Sequence, residues 1–257
     1  MNGAQAAFIG HGSPMNALEI NRFTQSWREL GASIAPSAFV VVSAHWYINA
    51  TAVTASISPR TIHDFYGFPQ ELFAVNYPAP GAPDVAQRVA DVLDPIWCGL
   101  DVDSWGIDHG TWSVLMHMAP SAEIPVVQLS IDAAKPLDYH FDIGAALAPL
   151  LDENIFVLCS GNIVHNLGRL NWGEPELAEP WARTFNEATK EILLSAPENL
   201  SSLQQHPDWS LAVPSPDHFL PVAYFAGLAH AKKRVPQTLV DGYNFGSLSM
   251  TSYYLSR

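Results

Sequence analysis

The apolar residues of this chain alternate between two patterns along its length. Four continuous apolar runs, rich in β-branched residues, cover residues 6–10, 38–44, 124–131 and 154–160. Continuous rather than alternating hydrophobicity is typical of short strands that are covered on both faces. These runs therefore predict four buried strands of a largely parallel sheet.

Between and after these runs, apolar residues recur at helical spacing. Three such segments are marked by Leu18, Phe23, Trp27 and Leu30 after an expected cap at Asn16, by Val85, Val89, Val92 and Ile96 behind Pro83-Asp84, and by Trp181, Phe185 and Ile192. Strands that alternate with helices predict an α/β fold. We expect a three-layer single domain over residues 1–257, with a mixed, largely parallel central sheet flanked by helices. The stretch 58–81, rich in Pro and aromatic residues, predicts an ordered irregular loop that forms a pocket wall or lid.

Composition and charge narrow the class of protein. No apolar run approaches the roughly 18–20 residues that span a bilayer, and no basic stretch precedes the short apolar run at the start, so we expect a cytoplasmic protein with no membrane partner. The formal net charge is −13 with only 12 Lys plus Arg, which argues against nucleic acid as a partner. Because charged residues make up 14% and aromatic residues 11%, we expect apolar surface that lines a pocket or is covered in a homo-oligomer.

Histidines follow the predicted strands at the points where the strands end. His11 and His45 come directly after the first two strands, and His165 follows the turn that begins at Ser160. Ligands of open α/β sheets bind beyond the carboxyl ends of the strands, so these side chains are expected to converge in one crevice. His218, in PSPDHFLP, precedes an expected helix, and His109, in WGIDHGTW, begins one.

Neutral imidazoles suit metals such as Zn(II) and Fe(II), and a catalytic metal needs about three protein ligands together with open positions. The small-residue turns around His11 and His45 favour metal ligation over a structural role for these two. For His63, in TIHDFYGFP, substrate contact and loop packing stay equally open. The other histidines are expected to be structural or solvated: His117, His140, His206 and His230.

Other chemistries lack their sequence features. The chain has no GxSxG elbow, no GxxxxGK[ST] loop, no HExxH helix and no GxGxxG turn after a strand. These absences argue against serine hydrolase, P-loop and Rossmann functions. Cys98 and Cys159 have no spacing that would indicate a disulfide framework or a zinc ribbon. Metal chemistry at the histidines fits the residues best.

Eight motifs occur in a fixed order along the chain: GHGSPMNAL, SAHWY, TIHDFYGFP, YPAPG, WGIDHGTW, PVVQLSI, SGNIVHNL and PDHFLP. With them the chain resembles the class III extradiol ring-cleavage dioxygenase superfamily, in its 4,5-DOPA dioxygenase branch, over essentially its whole length. The resemblance implies an α/β domain that opens a catechol ring beside its two hydroxyls with O₂. It also implies one divalent metal ion per chain, Fe(II) for dioxygenase activity or Zn(II) as bound.

When the residue roles of the family are transferred to the matching positions of this chain, the resemblance implies that His11 and His45 are metal ligands. It places His165 next to the metal, as the acid/base or as a further ligand, and makes His109 a catalytic, substrate-contacting histidine. The third ligand of the wider superfamily is a carboxylate, whereas the matching segment here offers Asp217 and His218. We assign His218 as the ligand and Asp217 as its hydrogen-bonding partner or fallback.

The expected substrate is a small catechol of the DOPA or caffeate kind. Arg60, just before Thr61-Ile62-His63, is the Arg best placed in sequence to bind a substrate carboxylate, and His63 is a second expected substrate contact. Two alternatives use the same histidines. One is a zinc-dependent hydrolase or isomerase on this scaffold, and the other is a non-catalytic protein that binds a metal or an aromatic molecule.

Overall fold

The computed structural model describes residues 3–173 and 176–257. Its strands are β1 (Ala4–Gly10), β2 (Ala38–Ile48), β3 (Ala52–Thr54), β4 (Gly99–Asp101), β5 (Val126–Asp132), β6 (Ile155–Gly161), β7 (Gln237–Val240), β8 (Tyr243–Asn244), β9 (Leu248–Ser249) and β10 (Ser252–Ser256). Its α-helices are α1 (Arg22–Ala32), α2 (Gln70–Phe73), α3 (Pro83–Leu93), α4 (His109–Met118), α5 (Leu137–Ala146), α6 (Ala148–Asp152), α7 (Pro180–Ser195), α8 (Trp209–Ala212) and α9 (Leu220–Lys232). Short 3₁₀ helices cover Pro14–Ala17, Leu167–Arg169 and Pro197–Gln205.

The central sheet has eight strands in the order β4-β3-β5-β2-β6-β1-β10-β7, and β8 and β9 form a separate pair. Its four middle strands, β5, β2, β6 and β1, are mutually parallel, whereas β10 and β7 add antiparallel pairs at one side. These four middle strands are the four apolar runs of the sequence, and all residues of β5 and β6 are buried. The predicted mixed, largely parallel sheet is therefore confirmed.

Helices cover both faces of this sheet and give the three predicted layers. One face carries α1 and α4, with Trp27 and Trp112 fully buried against it, and the other carries α5 and α9. Helix α9 is apolar on all sides, as expected of a helix enclosed by protein. Gly227 allows α9 to cross α5 closely. A Cβ at this position would lie 2.0 Å from Phe141 O, so only glycine fits there.

The first helix begins later than the sequence suggested. Asn21, not Asn16, caps α1, and its side chain accepts from the backbone N–H groups of Phe23 and Thr24. Asn16 instead belongs to the 3₁₀ turn before the helix and donates from its amide to His11 O at 2.9 Å. The expected cap was therefore wrong, because Asn16 Oδ1, the acceptor that a cap would use, accepts from Asn21 Nδ2 at 2.9 Å instead.

In the part of the chain that the structure describes, no helix is both long enough and apolar enough to cross a bilayer. The stretch 58–81 is irregular apart from the short α2 and a single bridge from Thr61 to Ile107, as predicted for a pocket wall.

Candidate active site

Three of the parallel strands deliver a histidine to the same edge of the sheet. His11 follows Gly10 at the end of β1, and its N–H donates to Gly161 O at 3.0 Å. His45 lies within β2, where the pairing with β5 shifts register between Val42 and Tyr47. A bulge of this kind redirects side chains, and bulges are frequent beside active sites. His165 follows β6, and its N–H donates to Ala212 O at 2.9 Å.

His218 reaches the same place from the loop that precedes α9. Its carbonyl oxygen accepts from Asn162 N at 2.8 Å, which joins the loop to the turn after β6. This approach requires a glycine at position 161, because a Cβ there would lie 2.3 Å from His218 O.

The side chains of His11, His45 and His218 form a compact cluster. One ring nitrogen of each lies within 4.8 Å of those of the other two. The ring centroids are 5.2 Å apart for His11 and His45, 5.3 Å for His11 and His218, and 5.0 Å for His45 and His218. Three of the four residues that we predicted as possible metal ligands are thus brought together.

Hydrogen bonds fix the tautomers of the first two histidines. The Ser160 hydroxyl donates its single proton to Gly110 O at 2.5 Å, so it must accept from His11 Nδ1 at 3.0 Å. The Asp64 carboxylate can only accept, so His45 Nδ1, 2.9 Å from Asp64 Oδ2, also carries a proton. When both rings are neutral, the two Nε2 atoms, 3.3 Å apart, therefore both present lone pairs.

Two facing lone pairs repel each other unless a proton or a cation lies between them. Two nitrogens bound to one ion at about 2.0–2.1 Å, with an angle of about 90–110°, are about 2.9–3.4 Å apart. The observed 3.3 Å between His11 Nε2 and His45 Nε2 falls in this range. His218 completes the donor set, because its Nδ1 is hydrogen-bonded to Asp217 and one of its ring nitrogens lies within 4.8 Å of those of His11 and His45. The residues fit a borderline divalent metal such as Zn(II) or Fe(II).

Burial and mutual repulsion keep most of these imidazoles neutral. Burial, followed by the charge of His45, lowers the pKa of His11 well below its ordinary value. For His165, burial followed by the charge of His218 lowers the pKa in the same way. Burial also acts to lower the pKa of His45, but the hydrogen bond to Asp64 and the surrounding carboxylates raise it overall. Neutral imidazoles are the form that binds metal.

Two further histidines flank the cluster. The ring of His165 stacks face to face on His218, with centroids 3.6 Å apart and planes at 3°. His109 is the first residue of α4, its ring centroid lies 3.8 Å from that of His45, and its Nδ1 lies 2.8 Å from Asp64 Oδ1. Among the described residues, the tight nitrogen cluster consists of His11, His45 and His218, so His165 stands beside it.

A second group of potential ligands also has its ligand atoms within 4.8 Å of one another: His45, Asp64 and His109. The Asp64 oxygens are already hydrogen-bonded to Nδ1 of both histidines, at 2.9 and 2.8 Å. Protons occupy the positions that a metal would need. We therefore place the metal at the first group.

A cavity of about 610 Å³ opens directly onto the histidines. Its wall includes His45, His109, His165 and His218. Most of the remaining wall is apolar and includes Met15, Phe65, Phe68, Leu167, Trp172 and Phe245. This is room for one small aromatic molecule with part of its surface against hydrophobic side chains.

Two predicted substrate contacts lie elsewhere. His63 Nε2 donates to Val75 O at 2.9 Å, and the Arg60 guanidinium is exposed and donates to Ser104 O at 3.0 Å. Neither belongs to the cavity wall formed by the described residues. Substrate contact by His63 and Arg60 stays a prediction that this geometry does not support.

Sequence reasoning missed two residues that orient the cluster, Asp64 and Ser160. Asp64 directly follows His63 in TIHDFYGFP, and Ser160 begins the SGN turn after β6. An acidic residue within a histidine-bearing aromatic motif is a signal that could have indicated Asp64. No sequence signal pairs Ser160 with His11, which lies 149 residues away.

Comparison with known proteins agrees with the geometry. Residues 6–253 match the family described as the catalytic LigB subunit of aromatic ring-opening dioxygenase. The chain is 48% identical to the 4,5-DOPA dioxygenase extradiol of Escherichia coli (strain K12), over 96% of this chain and 93% of that protein. It is 35% identical to the 4,5-DOPA dioxygenase extradiol of Beta vulgaris, over 96% and 94%. A crystal structure of an uncharacterized protein from Escherichia coli K12 superposes with a TM-score of 0.86 at 43% identity, covering 98% of this chain and 100% of that one. The chain therefore belongs to the LigB family of aromatic ring-opening dioxygenases, which are ring-cleaving oxidoreductases.

Proposed function

We propose that this protein opens the ring of a small catechol, of the DOPA or caffeate kind, with O₂ at a single divalent metal ion. The observation that supports this most directly is the cluster of His11, His45 and His218, in which His11 Nε2 and His45 Nε2 are 3.3 Å apart. His45 and His218 also line a cavity rich in aromatic residues. The names of the relatives from Escherichia coli and Beta vulgaris agree with it.

His11, His45 and His218 would hold the metal. When bound, the ion would supply the open positions at which a catechol and O₂ can react together. A site made only of neutral imidazoles carries less negative charge than one with a carboxylate ligand. Asp64 and Asp217 offset this, because each hydrogen-bonds the Nδ1 of a ligating histidine and raises the basicity of its other nitrogen.

His165 acts in this proposal as the acid/base. Burial lowers its pKa well below the ordinary value, so the ring is neutral at pH 7 and can accept a proton from a catechol hydroxyl. Stacking on His218 holds the ring at the cavity wall without using either of its nitrogens. His109 presents its free Nε2 to the same cavity, because Asp64 occupies its Nδ1, and would hydrogen-bond the substrate oxygens.

The cavity favours a single aromatic ring with a short side chain. Two pairs of packed aromatic rings line it: Phe65 with Phe68, and Trp172 with Phe245, whose ring centroids are 4.6 Å apart. A volume of about 610 Å³ accommodates a catechol of the size of DOPA together with a few water molecules. Cytoplasmic location, a homo-oligomeric state and the lack of nucleic-acid partners stay predictions.

Anaerobic loading with Fe(II), followed by oxygenated buffer and a panel of catechols, tests the function. We expect stoichiometric oxygen uptake and a coloured ring-opened product with the parent protein, and loss of both with His11→Ala, which removes a ligand. Oxygen-independent turnover by the Zn(II)-loaded protein would favour a hydrolase or isomerase instead. Catechol binding without any turnover in either metal form would favour a binding protein.

A further inference from the structure

Among the described residues, Asp64 is the one whose side chain hydrogen-bonds both a proposed metal ligand and the proposed substrate-contacting histidine. Its Oδ2 lies 2.9 Å from His45 Nδ1, and its Oδ1 lies 2.8 Å from His109 Nδ1. The same Oδ1 accepts from the backbone N–H of His109 at 3.1 Å. That N–H is at the first turn of α4, where the helix itself offers no acceptor and a negative charge is favoured.

The backbone on each side of Asp64 is held in place. Ile62 N donates to Ile107 O at 2.8 Å, and Trp112 Nε1 donates to Ile62 O at 2.8 Å. His63 is anchored through its bond to Val75 O, and Phe65 packs its ring against Phe73 with centroids 5.0 Å apart. The carboxylate is therefore presented by a fixed loop segment rather than by a mobile one.

The Asp64 carboxylate acts as the acceptor in all of these contacts. It faces the Nδ1 atoms of His45 and His109 at 2.9 and 2.8 Å, and it also accepts from the backbone N–H of His109. Both imidazoles must then carry their proton on Nδ1, which leaves Nε2 of each as the unprotonated nitrogen.

We propose that Asp64 is a positioning residue that sets the tautomer of His45 and of His109 at once, so that one carboxylate aligns a metal ligand and a substrate-binding histidine. The part that concerns catalysis rests on the proposed function. The part that concerns tautomers and metal affinity does not.

The isosteric substitution Asp64→Asn separates the two histidines. An amide offers one acceptor and one donor group, and the backbone N–H of His109 requires the acceptor at the position of Oδ1. The amide NH₂ then faces His45 Nδ1, which must accept, and the proton of His45 moves to Nε2, where it blocks the metal. An inverted tautomer of this origin is known to disable a histidine whose carboxylate partner becomes an amide.

Long-range ¹H–¹⁵N NMR of the imidazole rings and competition titration with Zn(II) test this without any substrate. For the parent we expect both His45 and His109 as Nδ1–H tautomers. For Asp64→Asn in the metal-free state we expect His45 as Nε2–H with His109 unchanged, and a Zn(II) dissociation constant raised about 10- to 100-fold. Thermal unfolding of the metal-free variants shows whether each one is folded.

Asp217→Asn is the matched control, because Asp217 hydrogen-bonds the third ligand, His218, and is not bonded to His109. It should weaken Zn(II) binding while the His109 signals stay as in the parent, whereas Asp64→Ala should alter the signals of His45 and His109 together. A parent tautomer pattern in Asp64→Asn, or a Zn(II) affinity within about twofold of the parent, would overturn the proposal.

For Fe(II)-saturated protein, Asp64→Ala should lower kcat for catechol cleavage beyond the loss in Asp217→Ala, because only the first variant frees His109. Equal kcat values for the two variants would refute the part of the proposal that concerns His109. If the parent protein shows no ring cleavage at all, the proposed function fails, and the NMR and Zn(II) results still decide the role of Asp64.

Discussion

Replacing Ser160 with alanine removes the hydroxyl that fixes the tautomer of His11. In the parent protein the Ser160 proton goes to Gly110 O, so His11 Nδ1–H has an acceptor at 3.0 Å and Nε2 is free. In the variant, metal-free His11 can shift its proton to Nε2 and donate to His45 Nε2, 3.3 Å away. Metal binding then requires the proton to return to His11 Nδ1. In the variant this N–H has lost the Ser160 hydroxyl as its acceptor, and it is buried, because His11 is only 1% exposed.

The cost of that return sets the expected loss of affinity. A buried donor left without a partner costs about 1–3 kcal/mol. Because about 1.4 kcal/mol corresponds to a factor of ten, the Zn(II) dissociation constant of Ser160→Ala should rise about 5- to 150-fold.

Competition with a fluorescent chelator measures this change, and Ser130→Ala is the matched control. Ser130 is another fully buried serine of the same sheet, on β5, which β2 separates from the strand of Ser160. It donates to a backbone carbonyl, Ala50 O, at 2.8 Å. Its removal should reduce stability similarly and leave Zn(II) affinity within about twofold. Equal Zn(II) affinities for the two variants would show that Ser160 does not control the tautomer of His11.

Two other predictions concern the acid/base and the pH dependence of folding. His165→Gln should retain most of its metal while kcat of the Fe(II)-loaded protein falls by roughly 10²–10⁴, as expected for loss of a positioned proton-transfer group; simultaneous loss of metal and activity would make His165 an obligatory ligand. His140 is buried beside Tyr224, and burial lowers its pKa to about 4. Between about pH 6.5 and pH 4 the unfolded chain therefore binds a proton at His140 that the folded chain does not. The free energy of unfolding falls as the pH drops through this range. Urea unfolding of the metal-free protein should show that His140→Phe reduces the stability lost between about pH 7.5 and pH 4.5 by about 2–3 kcal/mol relative to the parent. An unchanged loss would contradict the assignment of a neutral buried His140.

Much of the fold can be predicted from local patterns alone. The four apolar runs predicted the four middle strands, because a strand that is covered on both faces needs apolar residues at every position. The positions of His11 and His45 directly after the first two apolar runs predicted their convergence, because parallel strands end at one edge of a sheet. The second strand in fact continues past His45 to Ile48. These inferences depend on neighbours within a few residues, and such neighbours are visible in a linear sequence.

The helix start and the substrate contacts show where that information ends. Asn16 and Asn21 are equally good caps by residue type. In the structure Asn21 Oδ1 accepts from the helix, whereas Asn16 Oδ1 accepts from Asn21 Nδ2. Arg60 is close to His63 in sequence, yet its guanidinium turns to Ser104 O, because the backbone there pairs with Ile107. Sequence proximity in an irregular loop does not determine which way a side chain points.

Only the tertiary structure decided the chemistry of the histidine nitrogens. Residue types predicted that imidazoles would meet, but which nitrogen of each is free depends on Ser160 for His11 and on Asp64 for His45 and His109. Asp64 lies 45 residues from His109, in a loop without periodic pattern. A tautomer is set by the direction of hydrogen bonds to groups brought close by folding, and no local property of the chain encodes that direction.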